Sequence, residues 1–309
     1  MYYVRQICGE GNRQKPQKAL YRPSYSFFQS DRGLKKPSSS QKRALFFRLL
    51  PISAALLIIT AILLLNCRGR NRSYPVSEKP LAVAVAANVL YAMQDIEAAF
   101  EKKEGIPIDL VSASSGKLST QIAQGAPYHL FVSADLKYPD FLYRAGAATA
   151  PPKPYAYGAL VLWTMRPDLP LDKGLGVLSD PSIKKTAIAN PQTAPYGAEA
   201  MRALERAGIE EDVLPRLVYG ESIGQTSQYI LSGACDIGIT AKSVVLAPEM
   251  AGKGQWTDVD GRLYEAIAQG AVITNFGQKA QPERSKRFFA YLFSDEARQI
   301  FVRYGYRVP

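Results

Sequence analysis

Residues 111–135 read VSASSGKLSTQIAQGAPYHLFVSAD, and this order of residue types predicts a strand, a tight turn, a helix and a second strand. The segment VSAS is typical of a short strand, and Leu118 and Ile122 then recur at helical spacing. Ser115 stands before the predicted helix, where serine is a favoured cap, and Gly116 permits a tight turn. The free N–H groups and partial positive charge of a helix N-terminus could hold an oxyanion here, and a plain capped helix is the other interpretation.

Three further strand–turn–helix units follow the same plan. The apolar run LAVAVAAN ends in Asn88 and is typical of a strand that is covered on both faces. The segment AIANPQTAPYG at 187–197 leads into a second helix, and residues 219–222 open a third at Ile223. In open α/β sheets, ligands bind outside the carboxyl ends of the strands. Four such ends together therefore predict one anion-binding cradle, although each of them alone is weak evidence.

Strands and helices alternate from Leu81 onward, which indicates an α/β fold with parallel or mixed sheets. The predicted strands are 81–87, 107–113, 129–134, 156–165, 186–190, 216–220, 236–241 and 266–274. The predicted helices are 90–103, 116–124, 137–145, 196–207, 223–233, 283–293 and 294–303. A chain of 309 residues can form one large domain or two ordinary ones.

Charge is concentrated at the N-terminus. Residues 1–72 contain 14 Lys and Arg against 2 Asp and Glu, whereas the remainder contains 24 basic and 25 acidic residues. The basic balance therefore belongs to the N-terminal segment, and no nucleic-acid partner is expected.

An apolar run near the N-terminus predicts export and membrane attachment. Residues 49–66 carry no charge, approach the length of a bilayer span and exceed a usual signal-peptide core. The basic flank on their N-terminal side favours a cytoplasmic position for that end. We therefore expect a basic disordered segment (1–48), a transmembrane or signal segment (49–67) and a linker (68–80).

The end of the apolar run, LLLNC, resembles a bacterial lipoprotein site in which Cys67 would be lipidated. Asn66 departs from the small residue that usually precedes such a cysteine. A lipid anchor, a retained membrane anchor and simple cleavage all stay open. In each case the folded part is expected to be periplasmic or extracytoplasmic.

Few residues favour metal or catalytic chemistry. Cys235 is the single cysteine of the predicted folded part, so an internal disulfide is not expected there. We expect Cys235 to be buried just before a strand. His129 is the sole histidine, which argues against a site for a transition-metal cation and against a Ser/His/Asp relay. A P-loop is also missing from the sequence. We therefore expect neither an enzyme nor a cofactor.

Residues 81–308 resemble the periplasmic molybdate-binding proteins of bacterial ABC importers. The motifs that carry the resemblance are AVAANVLYAMQDIEAAFEKKEGI, SASSGKLSTQIAQGAPYHLFVSAD, AIANPQTAPYGAEAMRALERAG, YILSGACDIGI and AYLFSDEARQIFVRYGY. They occur in the order of that family and at its approximate spacings.

The resemblance implies the two-lobed α/β fold of type II periplasmic binding proteins, with two parallel or mixed sheets, flanking helices and a hinge. Lobe one would comprise residues 81–155 and 270–309, and lobe two residues 156–269. The chain would cross near 155–159 and return near 265–270. Closure of the lobes over a ligand is the expected motion.

The resemblance also implies five oxyanion-binding residues: Asn88, Ser115, Ala134, Tyr196 and Ile223. Asn88 would donate through its side-chain amide and the N–H beside it, Ser115 through the SSG turn and Tyr196 through its phenol. Ala134 and Ile223 would supply backbone N–H groups. A tetrahedral dianion needs such donors more than it needs a positive charge, so no metal-cation site is implied.

Two positions depart from the family pattern. Ala241 stands where other members have a tyrosine, which suits the branch whose tyrosine lies in the PYG turn at Tyr196. His129 stands where an aspartate is usual, and a structural role or an added pH dependence are both open. Lys117 and Lys242 flank the site motifs and could attract anions without touching them.

The resemblance predicts a monomer that captures molybdate, and tungstate as well, and delivers it to an ABC permease. A sulfate or phosphate binder is an alternative, but no carboxylate lies in the turns to accept a proton from phosphate. A ferric-ion binder would need clustered tyrosines.

An enzyme acting on an anionic substrate would need a titratable pair, and Asp135 and Glu221 are the carboxylates that adjoin the turns. A membrane sensor would need a cytoplasmic domain, and residues 1–48 are too short and polar to form one.

Overall fold

The computed structural model describes residues 79–309. The predictions for residues 1–48 and 49–67, and for the linker up to residue 78, lie outside the described residues. Between residues 79 and 309, every helix is too short or too polar to cross a membrane.

The described part of the chain alternates strands and helices. The strands are β1 (Leu81–Ala86), β2 (Ile108–Ala113), β3 (Leu130–Val132), β4 (Lys153–Gly158), β5 (Leu160–Thr164), β6 (Thr186–Ala189), β7 (Leu217–Gly220), β8 (Ile237–Ala241), β9 (Gln255–Asp258) and β10 (Ile267–Ile273). The α-helices are α1 (Leu90–Glu104), α2 (Ser115–Ala123), α3 (Lys137–Arg144), α4 (Pro195–Arg206), α5 (Glu210–Val213), α6 (Ile223–Leu231), α7 (Lys242–Val245), α8 (Asn275–Ala280), α9 (Pro282–Tyr291) and α10 (Asp295–Arg303). Short 3-10 helices occupy Ala87–Val89, Leu171–Ser179, Leu214–Arg216 and Pro248–Met250.

The strands form two five-stranded mixed sheets, one in each lobe. The first has the order β2-β1-β3-β10-β4, with β1 parallel to β2 and β3, and with β10 antiparallel to β3 and β4. The second has the order β7-β6-β8-β5-β9, with β6 parallel to β7 and β8, and with β5 antiparallel to β8 and β9. The predicted α/β fold with two mixed sheets is confirmed.

Helix α1 shows how the sequence pattern builds the core of the first lobe. Met93, Ile96 and Phe100 recur at spacings of three and four residues and are fully buried. Burying each such side chain contributes about 1.5–3 kcal/mol. The ring of Phe100 packs edge-on against Phe288 of α9, with the ring centroids 4.9 Å apart. Gly105, in the left-handed conformation at φ 66°, ends the helix.

The predicted strand at 156–165 is wrong, because it is two strands in different sheets. β4 pairs with β10 in the first sheet, and β5 pairs with β8 and β9 in the second, so the chain crosses at Ala159. Residues 156–158 and 267–269 consequently lie in the first sheet, although the predicted boundaries placed them in lobe two. Residues 156–165 read AYGALVLWTM, a nearly continuous apolar run, so the local pattern contains no clear sign of the break.

Several short elements were not predicted from the sequence. Strand β9 has the sequence QWTD, which lacks an apolar run, and it lies at the edge of the second sheet. Helices α5, α7 and α8 span four to six residues, which is too short for a helical periodicity to be visible. None of these elements changes the position of the predicted turns.

Candidate ligand-binding site

The five predicted site residues line one small cavity between the lobes. Its volume is about 10 Å³, measured as the space open to the centre of a water-sized sphere, which is roughly what one water or a similarly small group occupies. The lining residues are Ala86, Ala87, Asn88, Ser114, Ser115, Ala134, Ala194, Pro195, Tyr196 and Ile223. The size suits a compact ion, and every lining residue is uncharged.

Ser115 is the first residue of α2, and Ser114, in extended conformation, is its N-cap. The hydroxyl oxygen of Ser115 accepts a hydrogen bond from the backbone N–H of Ala134 at 3.0 Å. The Ser115 hydroxyl hydrogen is therefore left to donate to a ligand. Ala134 was predicted as a direct backbone donor, but its N–H is engaged by Ser115 in this structure. Ala134 thus orients the hydroxyl of Ser115.

Tyr196 is the second residue of α4, after Pro195, and it is buried. Its phenolic oxygen accepts a hydrogen bond from Nε2 of Gln269 at 3.1 Å. Burial raises the pKa of Tyr196 well above its ordinary value, so the phenol keeps its hydrogen and can donate it. Gly158 allows this arrangement, because a Cβ at that position would lie 1.8 Å from the phenolic oxygen.

Asn88 lies in the 3-10 helix that follows β1, and its polar groups bind other protein groups. Its Nδ2 donates to Oε1 of Gln269 at 2.8 Å and to the hydroxyl of Tyr306 at 3.1 Å. Its backbone carbonyl accepts from the hydroxyls of Ser243 at 2.6 Å and Tyr306 at 3.0 Å. The predicted donation from the Asn88 amide to a ligand is therefore absent from this arrangement. The backbone N–H is the hydrogen-bond donor of Asn88 that remains for a ligand.

Ile223 is the first residue of α6, and its side chain lines the cavity. The N-cap Ser222 accepts from the N–H of Gln225 through its hydroxyl oxygen and from the N–H of Thr226 through its carbonyl. The first N–H groups of a helix have no partner within the helix, so that of Ile223 can serve a ligand. The apolar side chain of Ile223 gave no sign in the sequence that its N–H group can serve a ligand.

A buried polar network behind the cavity was missed by the sequence reasoning. Gln269 of β10 is fully buried and contacts Asn88, Tyr196 and the hydroxyl of Tyr155, which lies 2.9 Å from its Oε1. A glutamine inside the apolar run IAQGAVI was the available signal. Tyr306, near the C-terminus, carried no comparable signal. Burial raises the pKa of Tyr306 to about 12, so this phenol is also a donor at neutral pH.

The two lobes touch across the cavity, so the structure represents a closed form. The N–H of Gly116 donates to the carbonyl of Thr193 at 2.9 Å, and the hydroxyl of Tyr138 donates to the carbonyl of Gln192 at 3.0 Å. The hydroxyl of Ser243 joins the second lobe to the Asn88 carbonyl of the first.

Charged groups surround the cavity without lining it. Lys117 lies 3.5 Å from Glu221 across the lobes in an exposed ion pair, which contributes little to stability. Lys242 pairs with Asp258 at 2.8 Å. Asp135 accepts from the hydroxyl of Ser133 and the N–H of Tyr138. The titratable pair that an enzyme would need therefore does not face this cavity.

The histidine and the cysteine of the described region lie away from the cavity. Nδ1 of His129 accepts from the N–H of Ala82 at 3.0 Å, and its ring packs edge-on against Phe276 with centroids 5.0 Å apart. Burial lowers the pKa of His129 below its ordinary value, which favours the neutral ring. Cys235 is buried, as predicted. From residue 79 onward, no group of three or more His, Cys, Asp or Glu could hold a metal ion.

Comparison with known proteins gives consistent matches. The family model described as bacterial extracellular solute-binding protein matches residues 81–307. The molybdate-binding protein ModA of Azotobacter vinelandii is 38% identical over 225 residues, which cover 72% of this chain and 88% of that protein. ModA of Rhodobacter capsulatus is 36% identical over 233 residues, which cover 75% of this chain and 90% of that protein.

A solved structure supports the same relationship. The periplasmic molybdate-binding protein of Azotobacter vinelandii matches with a TM-score of 0.70 and 33% identity. The match covers 74% of this chain and 99% of that chain. Together with the two mixed sheets, it confirms the predicted periplasmic-binding-protein fold.

Proposed function

Because this chain belongs to the bacterial extracellular solute-binding proteins, we propose that it captures molybdate outside the cytoplasm and delivers it to an ABC permease. Capture is reversible: donors from both lobes close on the anion, and docking on the permease reopens them. The chain acts as a binding protein and uses no cofactor.

The observation that carries this proposal is the pair of hydroxyls in the cavity. Ser115 and Tyr196 each accept one hydrogen bond from the protein, so each hydroxyl can turn its hydrogen to a ligand, that of Tyr196 away from the neighbouring hydroxyl of Tyr306. They come from different lobes and line the same uncharged cavity. Fixed neutral donors in a dry site bind a tetrahedral oxyanion without needing a cation. The backbone N–H groups of Asn88 and Ile223 add donors, and Ala134 acts through Ser115.

Three finer points belong to the same proposal. Tungstate has the charge and shape of molybdate, so the same donors should hold it. Residues 49–67 are proposed to attach the protein to the membrane, with Cys67 as the candidate lipidation site. The binding unit is proposed to act as a monomer, because both halves of the cavity come from one chain.

Isothermal titration with molybdate, tungstate, sulfate and phosphate tests the proposal. We expect one-to-one binding of molybdate and tungstate, with sulfate and phosphate at least about 100-fold weaker, which corresponds to about 2.8 kcal/mol. Equal binding of sulfate would keep the oxyanion site and reject the molybdate assignment. If none of the four anions bound, the oxyanion function itself would be wrong.

A further inference from the structure

Gln269 occupies the centre of the buried network and has no access to solvent. Its Oε1 lies 2.8 Å from Nδ2 of Asn88 and 2.9 Å from the hydroxyl of Tyr155, and its Nε2 lies 3.1 Å from the hydroxyl of Tyr196. The side chain does not line the cavity, but it contacts two residues that do. Its amide has one accepting end and one donating end, so its orientation matters for both neighbours.

The direction of the hydrogen bonds is determined by a backbone carbonyl. The carbonyl of Asn88 can only accept, and the hydroxyl of Tyr306 lies 3.0 Å from it, so the single hydrogen of Tyr306 points to that carbonyl. The hydroxyl of Tyr306 must then accept from the side chain of Asn88 at 3.1 Å. The side-chain atom of Asn88 that faces Tyr306 is therefore the nitrogen Nδ2 and not the oxygen.

The same reasoning extends to Tyr196. Because Nδ2 of Asn88 is a donor, the atom of Gln269 that lies 2.8 Å from it must be the accepting oxygen. Nε2 of Gln269 is then the atom that faces Tyr196, and it donates to the phenolic oxygen. Tyr196 cannot give its hydrogen back to Gln269. The neighbouring hydroxyl of Tyr306 can accept that hydrogen, and an oxyanion in the cavity competes with Tyr306 for it.

We propose that Gln269 is a positioning and specificity-determining residue that makes Tyr196 a hydrogen-bond donor toward the bound oxyanion. This inference rests on the proposed function and deepens it. Gly158 supports the contact, because a Cβ there would lie 2.7 Å from Nε2 of Gln269 as well as 1.8 Å from the hydroxyl of Tyr196.

The orientation of Tyr196 has a consequence for ligand selection. A fully deprotonated oxyanion offers acceptors on every oxygen and pairs with this phenol. Hydrogen phosphate carries an O–H group that needs an acceptor, and Tyr196, held as a donor by Gln269, does not provide one. A buried polar group that is left without its partner disfavours binding by a large factor.

A double-mutant cycle on molybdate affinity tests the role of Gln269. In the wild-type background, Tyr196→Phe should weaken binding roughly 10–100-fold, the range for a hydrogen bond to a charged group. In Gln269→Glu, the carboxylate accepts the phenolic hydrogen, so adding Tyr196→Phe should weaken binding less than about threefold further. Both proteins in the Gln269→Glu background contain the new carboxylate. Its repulsion of molybdate therefore cancels when their affinities are compared.

Equal effects of Tyr196→Phe in both backgrounds would overturn the proposal. Gln255→Glu is the matched control, because Gln255 also donates through Nε2 but to the carbonyls of Arg166 and Leu169 in the second lobe. In that background Tyr196→Phe should have its full effect. A wild-type protein that bound no oxyanion would reject the proposed function, whereas binding with equal effects in the cycle would reject only the role of Gln269.

Selectivity provides a second readout if Gln269→Glu does not fold. In Gln269→Met the phenol of Tyr196 is released from the amide and can turn to accept. Hydrogen phosphate should then gain at least about tenfold in affinity relative to molybdate, measured at about pH 8, where phosphate carries two negative charges. An unchanged ratio between the two anions would contradict the proposal.

Discussion

The hydroxyl of Ser115 offers a direct measure of one ligand contact. Ser115→Ala should weaken molybdate binding roughly 10–100-fold, because a donor to a charged oxygen is lost from a buried cavity. Isothermal titration of the purified variant gives the dissociation constant.

Ser119 provides the control on the same helix. Its hydroxyl is buried without a hydrogen-bond partner, so Ser119→Ala removes the same atom and loses no bond. We expect unchanged molybdate affinity and a melting temperature that is unchanged or higher. Equal losses of affinity in the two variants would show that Ser115 does not contact the ligand.

His129 makes stability depend on pH in a predictable direction. Its folded pKa lies below the unfolded value of 6.5 because the ring is buried. As pH falls through about 6.5, the unfolded chain takes up a proton that the folded protein does not, so stability falls toward acid. His129→Asn, which keeps an acceptor for the N–H of Ala82, should reduce this loss, by at most about 1.4 kcal/mol per pH unit.

The measurement is the free energy of unfolding by urea between about pH 5 and pH 8 in both proteins. Glu97 acts in the opposite direction, because burial and then the neighbouring Glu101 and Asp109 raise its pKa to about 7. Its contribution is common to both proteins and cancels in the difference. Parallel pH profiles would contradict the assignment to His129.

Among the helices and strands, the start of α2 is one place where the two lobes touch. A Cβ at Gly116 would lie 2.8 Å from the hydroxyl of Tyr138 and 3.0 Å from the carbonyl oxygen of Thr193 in the other lobe. Gly116→Ala should therefore weaken molybdate binding at least about threefold, because closure becomes less favourable. The stability of the unliganded protein should not fall, since alanine favours helix over glycine.

Gly176→Ala is the control for this prediction, because a Cβ there would meet nothing within 4 Å. Titration calorimetry measures affinity, and thermal unfolding without ligand measures stability. If Gly116→Ala bound molybdate as tightly as Gly176→Ala, the contact between Gly116 and Thr193 would not limit closure.

For the protein as a whole, ligand binding should appear as added stability and a more compact shape. Molybdate at 100 times its dissociation constant should add about 2.7 kcal/mol to the free energy of unfolding. For a unit of this size, we expect a rise in melting temperature of roughly 5–10 °C. Small-angle scattering should show a smaller radius of gyration with molybdate, because donors from both lobes hold the anion. No change with molybdate in either measurement would argue against closure around this ligand.

The local pattern of the chain was sufficient to predict the alternation of strands and helices and the turns that lead into the helices of Ser115 and Tyr196. Apolar periodicity and turn residues act over a few positions, so they can be read directly from the sequence. The resemblance to a known family added the grouping of the five site residues, and the structure places all five around one cavity.

The tertiary structure alone decided which groups around the cavity are free to bind a ligand. Asn88 meets Gln269 at a separation of 181 residues and Tyr306 at a separation of 218. The contact with Gln269 depends on the pairing of β3 with both β1 and β10, which brings a strand from late in the chain close to the strand that precedes Asn88. The pairing of β10 with β4 separates β4 from β5, although the two are adjacent in sequence. Local periodicity cannot contain this information, because it arises only when distant strands form one sheet.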